Sequence, residues 1–368
     1  VGARLPVEPS VASFTGKRVI GKQGGEMRTL IGRAKDVRLF VVYGYARLVG
    51  YDEEFRIKPD ILLSVEIKED RQFTFKLRPG HKWSDGHPFT AEDFRYWWED
   101  VANNKDISQP PSFEMLDETT VRYTWPKANP FFLPRLAGAS PLFIYRPAHY
   151  LKRYHGNYAD AGKLKKLLRK KRTRSWASLH NRFDNMYRFD NPELPTLQPW
   201  VNRTRPPATR FIGERNPYYH RVDEKGRQLP YIDKLIMAVS DGKLIAAKAG
   251  TGEVDLQARS LAFNNLTFLR ENEKDGKFET YLWRIAKGAH VALFPNLNVD
   301  DPVWSKMMRD VRFRRALSLG VDREAINESL FFGLALMGNN TMLPDSPLFR
   351  EEYQKQWAEY DPDMANEI

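Results

Sequence analysis

The stretch that decides the fold runs from Lys76 to Val101 and reads KLRPGHKWSDGHPFTAEDFRYWWEDV. It holds three tryptophans and two turn signals, Pro79-Gly80 and Asp85-Gly86. Thr90 precedes two acidic residues, which predicts a helix N-cap with carboxylates near the positive end of the helix dipole. The helix then carries an apolar stripe at helical spacing, formed by Phe94, Trp97, Trp98 and Val101. Aromatics at this spacing are more often core than ligand platform, so we expect them to pack inside the protein.

The segments on either side of this stretch are predicted to be strands. GEMRTLIG (25–32), DVRLFVVYGYARLVGYD (36–52) and RIKPDILLSVEIKED (56–70) are apolar or alternating, and residues 73–77 alternate strictly. FEMLDETTVRYTW (113–125) has the pattern of a hairpin with an Asp-Glu turn. Residues 25–125 therefore predict a β-rich region that contains the aromatic helix.

The composition and predicted secondary structure of the chain change twice after residue 125. Residues 175–220 are loop-rich and polar yet hold many aromatics, which favours a concave binding surface there. From Leu229 onward, strands are predicted to alternate with helices, with strands at 278–285 and 289–299 and an interrupted helix over 310–333. A boundary between two lobes is predicted near residues 236–242.

Length and composition limit the possible classes of protein. The 368 residues, 42% of them hydrophobic, predict two or three folded domains. No apolar run reaches the length of a membrane span, and no signal-peptide core stands at the N-terminus. The absence of cysteine excludes disulfides, Cys-ligated zinc and thiol nucleophiles, and suits an oxidising compartment such as a periplasm.

The net charge of +11 is concentrated in one segment. In KLKKLLRKKRTR (163–174), eight of the twelve residues are basic, which leaves only about +3 for the rest of the chain. The leucines in this run have helical spacing, so the simplest interpretation is a solvated helix docked through its leucines. A site for a polyanion or a membrane surface is the alternative, although the run lacks aromatics for base stacking.

Motifs for catalysis and metal binding are missing from the sequence. The seven histidines form no HExxH or His-x-His pair, and no GxSxG, GxGxxG or GxxxxGK[ST] occurs. Adjacent acidic pairs such as Glu92–Asp93 diverge in a helix and are typical of caps and turns. We therefore expect neither an enzyme nor a protein with a cofactor.

Four segments resemble one family, the family 5 extracellular solute-binding proteins. FTFKLRPGHKWSDGHPFTAEDFRYWWEDV (73–101) is similar to the signature region of these dipeptide- and oligopeptide-binding components of ABC importers. GERNPYYHRVDEKGRQLPYIDKLIM (213–237), KAGTGEVDL (248–256) and DVRFRRALSLGVDREAINESLFFGLA (310–335) resemble further motifs of the family, in the same order. The resemblance covers most of residues 21–349.

The resemblance implies an α/β fold with two lobes, of the periplasmic binding protein type with an inserted subdomain. Lobe one would comprise residues 1–50 and 141–238, with the subdomain at 51–140, and lobe two would begin at 239–368. Family members continue well beyond this point, so we expect the second lobe to be truncated here and its acidic ligand-binding residue to be missing. The aromatics of residues 76–101 would then be scaffold.

Ligand-contacting residues are also inferred from the resemblance. In the family a solute binds between the lobes, and the closed protein delivers it to a membrane permease. Arg33 is a candidate partner for a ligand carboxylate, and Trp200 is a candidate for stacking. The full set of candidate ligand-binding residues is Arg33, Tyr43, Tyr45, Trp200, Asn202, His290, Phe294 and Asn296.

Three functions remain open from the sequence. The first is a periplasmic binding protein for short peptides, monomeric, with an inner-membrane ABC permease as its partner and without nucleic acid. The second is the same fold binding an oligosaccharide or an opine-like conjugate. The third is a basic protein that grips a polyanion or anionic lipid through residues 163–174.

Overall fold

The computed structural model describes residues 4–12, 20–102, 110–188, 190–283, 289–344, 346 and 348–368. The chain forms two compact units, Val1–Leu261 and Ala262–Ile368. In the part of the chain that the structure describes, no helix combines the length and apolar character that crossing a bilayer would require.

The first unit contains the strands and seven of the described α-helices. Its strands are β1 (Ser10–Val11), β2 (Glu26–Ile31), β3 (Val49–Tyr51), β4 (Ile57–Pro59), β5 (Leu62–Lys68), β6 (Gln72–Leu77), β7 (Ser112–Asp117), β8 (Thr120–Thr124), β9 (Trp200–Asn202), β10 (Arg210–Arg215), β11 (Arg221–Val222) and β12 (Lys234–Val239). Its helices are α1 (Leu39–Gly44), α2 (Ala91–Tyr96), α3 (Phe132–Ala137), α4 (Ala148–Leu151), α5 (Ala161–Lys171), α6 (Trp176–Phe183) and α7 (Ile245–Gly250). Short 3-10 helices cover Ala34–Arg38 and Lys152–Tyr154.

The second unit is helical in its described residues. Its helices are α8 (Leu266–Gly276), α9 (Pro302–Arg309), α10 (Val311–Leu319), α11 (Arg323–Phe331), α12 (Glu351–Lys355) and α13 (Pro362–Glu367), and a 3-10 helix covers Phe263–Asn265. The predicted interrupted helix over 310–333 is confirmed, because α10 and α11 are separated only by residues 320–322. Asp322 begins α11 by accepting a hydrogen bond from the Ala325 amide.

A four-stranded sheet in the order β2-β12-β10-β9, here called the mixed sheet, organises one part of the first unit. β2 and β12 run parallel, with Lys234 opposite Glu26 and Val239 opposite Ile31, whereas β10 pairs antiparallel with both of its neighbours. Buried apolar side chains on the sheet, among them Phe211 and Leu235, pack against α1. The parallel pair brings the carboxyl ends of β2 and β12 to the same edge.

A second four-stranded sheet, in the order β5-β6-β8-β7 and here called the antiparallel sheet, forms within residues 62–124. The strict alternation predicted for residues 73–77 is confirmed, since Phe73, Phe75 and Leu77 are all buried. The predicted hairpin over 113–125 is confirmed by the pairing of β7 with β8. These strands and the turn after β6 enclose the largest apolar core formed by the described residues.

The stretch from Lys76 to Val101 is scaffold in this fold. Thr90 and Asp93 form a capping box at the start of α2, as the sequence predicts for Thr90. Trp83 and Phe94 are at most 1% exposed, and Trp97 and Trp98 are partly buried against the same core. The helix ends in a π-helical turn, Trp97–Val101. The aromatic mass therefore fills the space between the turn, the helix and the antiparallel sheet.

Three of the predicted strands are wrong over all or part of their described length. Residues 36–44 form a 3-10 helix and α1 instead of a strand, because burial of Val37, Leu39 and Phe40 against the mixed sheet overrides their strand propensity. The predicted strands at 278–285 and 289–299 are also wrong for their described residues, which are irregular. The described part of the second unit has no strand with which they could pair.

The lobe boundary predicted at 238/239 stays a prediction, and the structure adds a detail to it. The compact first unit continues to Leu261, since the chain after β12 returns to β2. The Asp255 amide donates to the carbonyl of Arg28 at 3.0 Å, and the Arg28 guanidinium pairs with the Asp255 carboxylate at 2.9 Å. These contacts attach the irregular segment around Asp255 to the edge strand β2.

Candidate functional site

A cavity of about 760 Å³ opens at the carboxyl ends of β2 and β12 in the first unit. Adjacent parallel strands that end at one edge of a sheet leave a crevice where their following segments separate, and ligands of α/β proteins bind at such edges. The lining residues come from the turn after β2, from α1, from the turn after β12 and from the segment before residue 261. They are Gly32, Arg33, Asp36, Leu39, Val42, Tyr43, Gly242, Ala258, Arg259 and Ser260, and we call this space the β2–β12 cavity.

One wall of the β2–β12 cavity is built by α1. Leu39 and Phe40 turn into the core of the mixed sheet, which fixes the helix. Val42 and Tyr43 are then left facing the cavity. Phe40 packs directly on Gly213 of β10, where any side chain would overlap its ring. The position of Tyr43 therefore depends on a close approach between α1 and the sheet.

The opposite wall is fastened to the free edge of β2. The side-chain amide of Gln257 accepts from the Leu30 amide at 2.9 Å and donates to the Leu30 carbonyl at 3.1 Å, which satisfies backbone groups that a sheet edge leaves open. Together with the Arg28–Asp255 pair, this contact holds Arg259 and Ser260 beside the turn that carries Arg33. Residues more than 220 positions apart in sequence thus share one cavity.

The charge in the cavity is arranged around one buried carboxylate. Asp36 has a side chain only 5% exposed, and guanidinium nitrogens of Arg33, Arg38 and Arg259 lie 3.7–3.8 Å from it. None of these distances is a hydrogen bond, and Asp36 Oδ1 has no hydrogen-bond partner among the described residues. Arg33 and Arg259 line the cavity and Arg38 lies outside its lining, so two guanidinium groups beside one carboxylate leave the cavity positively charged and offer N–H groups to a solute.

Tyr43 adds an aromatic side chain to the charged lining of the β2–β12 cavity. Burial raises the pKa of the Tyr43 phenol, and the nearby Arg259 partly opposes that shift. The phenol is therefore neutral at physiological pH and can both donate and accept a hydrogen bond. Guanidinium groups, a phenol and apolar Leu39 and Val42 suit a polar solute with a planar or apolar part.

The structure brings Arg33 and Tyr43 together in one cavity and places the other candidate residues elsewhere. Trp200, 9% exposed, lies in the core of the mixed sheet, and its indole N–H has no hydrogen-bond partner among the described residues. Asn202 bonds both backbone polar groups of Thr204. Trp200 and Asn202 border a space of only about 50 Å³, which is large enough for water but not for a solute.

Tyr45 follows α1 in a left-handed conformation, not in a strand as expected. Its hydroxyl donates to the Ala137 carbonyl at 2.7 Å, and the Arg47 guanidinium lies 5.0 Å from its ring centroid. These contacts are of the kind that join packed elements. Likewise Trp176, in the aromatic segment 175–220, packs against the core beneath α5 and α6.

His290, Phe294 and Asn296 lie in the second unit, in irregular chain instead of the expected strand. His290 lines a separate cavity of about 610 Å³ and lies 5.2 Å from the ring of Phe331. Phe294 is 80% exposed, and Asn296 accepts from the Asn298 amide at 3.0 Å. Ligand contact by any of the eight candidates, including Arg33 and Tyr43, stays a prediction.

Sequence reasoning missed the other residues of the β2–β12 cavity. Asp36 sits inside a segment whose apolar run predicted a strand, so its position at a helical turn was hidden. Arg259 belongs to QARS (257–260), which carries no motif. Helical spacing of Leu39, Val42 and Tyr43 is the one signal that would have placed a helix face at this edge. Among the described residues, no cluster of His, Asp or Glu could hold a metal ion.

Comparison with known families and solved structures gives concordant results. The model of the bacterial extracellular solute-binding proteins, family 5 Middle, matches residues 56–368. The structure titled oligopeptide-binding protein OppA is 36% identical with a TM-score of 0.80, over 100% of this chain and 59% of that one. The mixed α/β fold is thus that of the periplasmic binding proteins.

Curated relatives are more distant and longer than this chain. The periplasmic alpha-galactoside-binding protein of Rhizobium meliloti (strain 1021) is 28% identical over 303 residues, which cover 75% of this chain and 40% of the relative. A putative ABC transporter peptide-binding protein of Brucella ovis is 25% identical over 342 residues, covering 89% and 54%. The chain spans about half the length of the curated relatives that it matches.

Proposed function

The chain belongs to family 5 of the bacterial extracellular solute-binding proteins, and we propose that it captures short peptides for the permease of an ABC importer. This family consists of solute-binding proteins and not of enzymes. The match includes the stretch around Trp83 that forms the scaffold of the first unit. Family membership is shown by the match, whereas we propose the activity, the solute and the permease partner of this chain.

The β2–β12 cavity is the observation that carries the proposal. Peptides present carboxylate, amide and apolar groups together, and the cavity offers guanidinium groups, a phenol and apolar side chains within about 760 Å³. Arg33 and Arg259 are exposed enough to reach a solute while Asp36 restrains them. The names of the OppA structure and of the Brucella relative support a peptide as the ligand.

An oligosaccharide is the second candidate, and one finding favours it. The Rhizobium relative is named for alpha-galactosides. Tyr43 beside guanidinium groups would serve a sugar as well as a peptide, because sugar rings stack on aromatics and their hydroxyls accept from N–H donors. The OppA structure is more similar to this chain than that relative is, which is why we place the peptide first.

A thermal-shift screen with the whole chain separates these candidates. Peptides of two to five residues and galactosides of matched size are each added at increasing concentration. A ligand present at 100 times its dissociation constant stabilises the protein by about 2.7 kcal/mol, which raises the melting temperature by several degrees. Our proposal predicts a rise with peptides that is lost in Arg259→Gln. A rise with galactosides alone would contradict it.

The remaining expectations concern the setting of the protein. Membership of an extracellular family supports a location outside the cytoplasmic membrane, and we propose the periplasm. We also propose that the chain is monomeric, with an inner-membrane permease as partner and without nucleic acid. Size-exclusion chromatography with light scattering tests whether the chain is monomeric, and a dimer at micromolar concentration would contradict that proposal.

A further inference from the structure

The first unit carries a strongly basic surface on α5 that the proposed solute site does not use. Eight Lys and Arg side chains within residues 163–174 are all exposed. We call this set the basic strip. It consists of Lys163, Lys165, Lys166, Arg169, Lys170, Lys171, Arg172 and Arg174.

No residue of the basic strip forms an ion pair in the part of the chain that the structure describes. Many basic side chains elsewhere in the first unit are matched by carboxylates: Lys152 lies 2.7 Å from Glu92, and Arg182 lies 3.1 Å from Asp190. The basic strip is different because eight basic residues gather within twelve positions and none of them has a carboxylate partner among the described residues. Such an arrangement costs free energy through mutual repulsion, which an anionic partner would relieve.

The helix turns its leucines toward the core and leaves little apolar surface for insertion into a bilayer. Leu164 is 8% exposed, and Leu167 and Leu168 are partly buried against the same core, which includes Leu179 and Phe183. Lys171 extends over that core, with Nζ 5.5 Å from the Phe183 ring centroid. Any partner of α5 is therefore held from outside, by charge.

Helical geometry sets the shape of the charged face. With 100° per residue, five basic residues fall within an arc of roughly 160° opposite the leucines. They are Lys163, Lys165, Lys166, Arg169 and Lys170. Two arginines follow directly after the helix, where Arg172 forms the left-handed C-cap. The face is an extended row of long, mobile cations.

We propose that the basic strip docks the protein on a membrane surface that carries anionic lipid headgroups. A fluid layer of anions can match a row of flexible, unpaired cations without steric complementarity, whereas an acidic protein surface requires fixed partners. Nucleic acid is disfavoured because residues 163–174 contain no aromatic side chain for base stacking. Since no apolar group inserts, attachment is reversible and sensitive to salt.

The test is binding of the whole chain to sedimented vesicles. One set is pure phosphatidylcholine, and the other contains phosphatidylglycerol at about one lipid in three, which gives its surface a negative potential that attracts basic segments. The variant K165Q/K166Q/R169Q/K170Q removes four charges from the strip, and glutamine has nearly the helix propensity of lysine. The matched control, K22Q/K76Q/K127Q/K225Q, removes four exposed lysines from other places in the first unit.

Each basic residue near an anionic surface strengthens binding by about fivefold. We expect wild type to bind only the anionic vesicles and the strip variant to bind them at least about tenfold more weakly. The control should lose less than about threefold, and raising the salt from about 50 to 300 mM should release the wild type.

Three results would overturn the proposal. They are no binding of wild type to anionic vesicles, equal loss in the strip variant and the control, and binding of a DNA duplex through the strip without vesicle binding. Circular dichroism melts of both variants establish that each is folded. Solute binding by either variant is measured separately, so this proposal can fail while the proposed function stands.

Discussion

At the scale of residues, the buried carboxylate of Asp93 holds together the turn and the helices around residue 90. Its carboxylate accepts from Trp83 Nε1 at 3.0 Å, from the Thr90 amide at 3.1 Å and from the Ala148 amide at 3.0 Å. Burial raises the pKa of this carboxyl to about 6, although the three donors oppose the shift. One side chain thus joins the turn, the start of α2 and the start of α4.

Replacement of Asp93 by alanine removes the acceptor of three buried donors. Leaving buried donors unpaired costs about 1–3 kcal/mol each, part of which is regained because a buried charge disappears. We expect Asp93→Ala to lower the free energy of unfolding by about 2–4 kcal/mol, measured by urea denaturation. The control Glu99→Ala, at an exposed partner of Arg95, should change it by less than about 1 kcal/mol. Equal effects of the two would contradict this role.

His81 makes stability depend on pH. It is 2% exposed, neither ring nitrogen has a hydrogen-bond partner in the described residues, and its ring lies 5.1 Å from that of His220. Burial, with His220 and Arg78 nearby, holds the pKa of His81 well below 6.5, although Asp60 opposes this. Below pH 6.5 His81 is therefore protonated in the unfolded chain but stays neutral in the folded chain. Because the unfolded state binds the extra proton, the free energy of unfolding decreases as the pH falls.

The variant His81→Leu isolates this contribution. Between pH 7.5 and 5.5, wild type should lose about 1.4 kcal/mol more unfolding free energy than the variant, since one unit of pH is worth about 1.4 kcal/mol per proton. Urea denaturation at both pH values measures the two losses. Equal losses in wild type and variant would show that His81 is not the source of this pH dependence.

At the scale of elements, the site depends on how α1 sits on the mixed sheet. Gly213 leaves room for Phe40, and Phe40 fixes the helix that carries Tyr43. We expect Gly213→Ala to lower the unfolding free energy by about 1–3 kcal/mol through overpacking, and to weaken solute binding because Tyr43 moves. The control Gly162→Ala, within α5, should be neutral or stabilising by up to about 1 kcal/mol. Thermal melts compare them, and an unaffected Gly213→Ala would contradict the packing argument.

Local signals predicted the elements that are stabilised locally. Thr90 with its following acids predicted the start of α2, and the alternation of Phe73 and Phe75 predicted β6. Helix caps and the alternation of a strand depend on residues that are close together in sequence. The helix α1 was missed because its strand-forming residues fold as a helix only against the mixed sheet. The residues that join Arg33 in the cavity were missed because Arg259 reaches it from a distant segment through Gln257.

At the scale of the whole molecule, the two units differ in how well they bury apolar groups. The described residues of the first unit enclose three apolar cores. By contrast, many large side chains of the second unit are exposed, among them Tyr281, Trp283 and Leu293, each at least 67% exposed. Exposed, irregular backbone is the preferred substrate of proteases.

Limited digestion with chymotrypsin tests this difference. The first cuts should follow Tyr281, Trp283 or Leu293, and should leave an N-terminal fragment that retains both sheets and resists further digestion. Mass spectrometry identifies the cleavage sites. First cuts within β2, β6 or β12 would contradict the view that the first unit is the more stable one.

The most direct test of solute capture at the β2–β12 cavity is photo-crosslinking with a peptide selected in the thermal-shift screen. The peptide carries a benzophenone group, and crosslinked residues are mapped by mass spectrometry, with the unlabelled peptide as competitor. We predict crosslinks within residues 32–43 and 258–260 that the competitor removes and that Arg259→Gln weakens. Competed crosslinks confined to α5 or to the cavity around His290, with none at residues 32–43, would contradict the account.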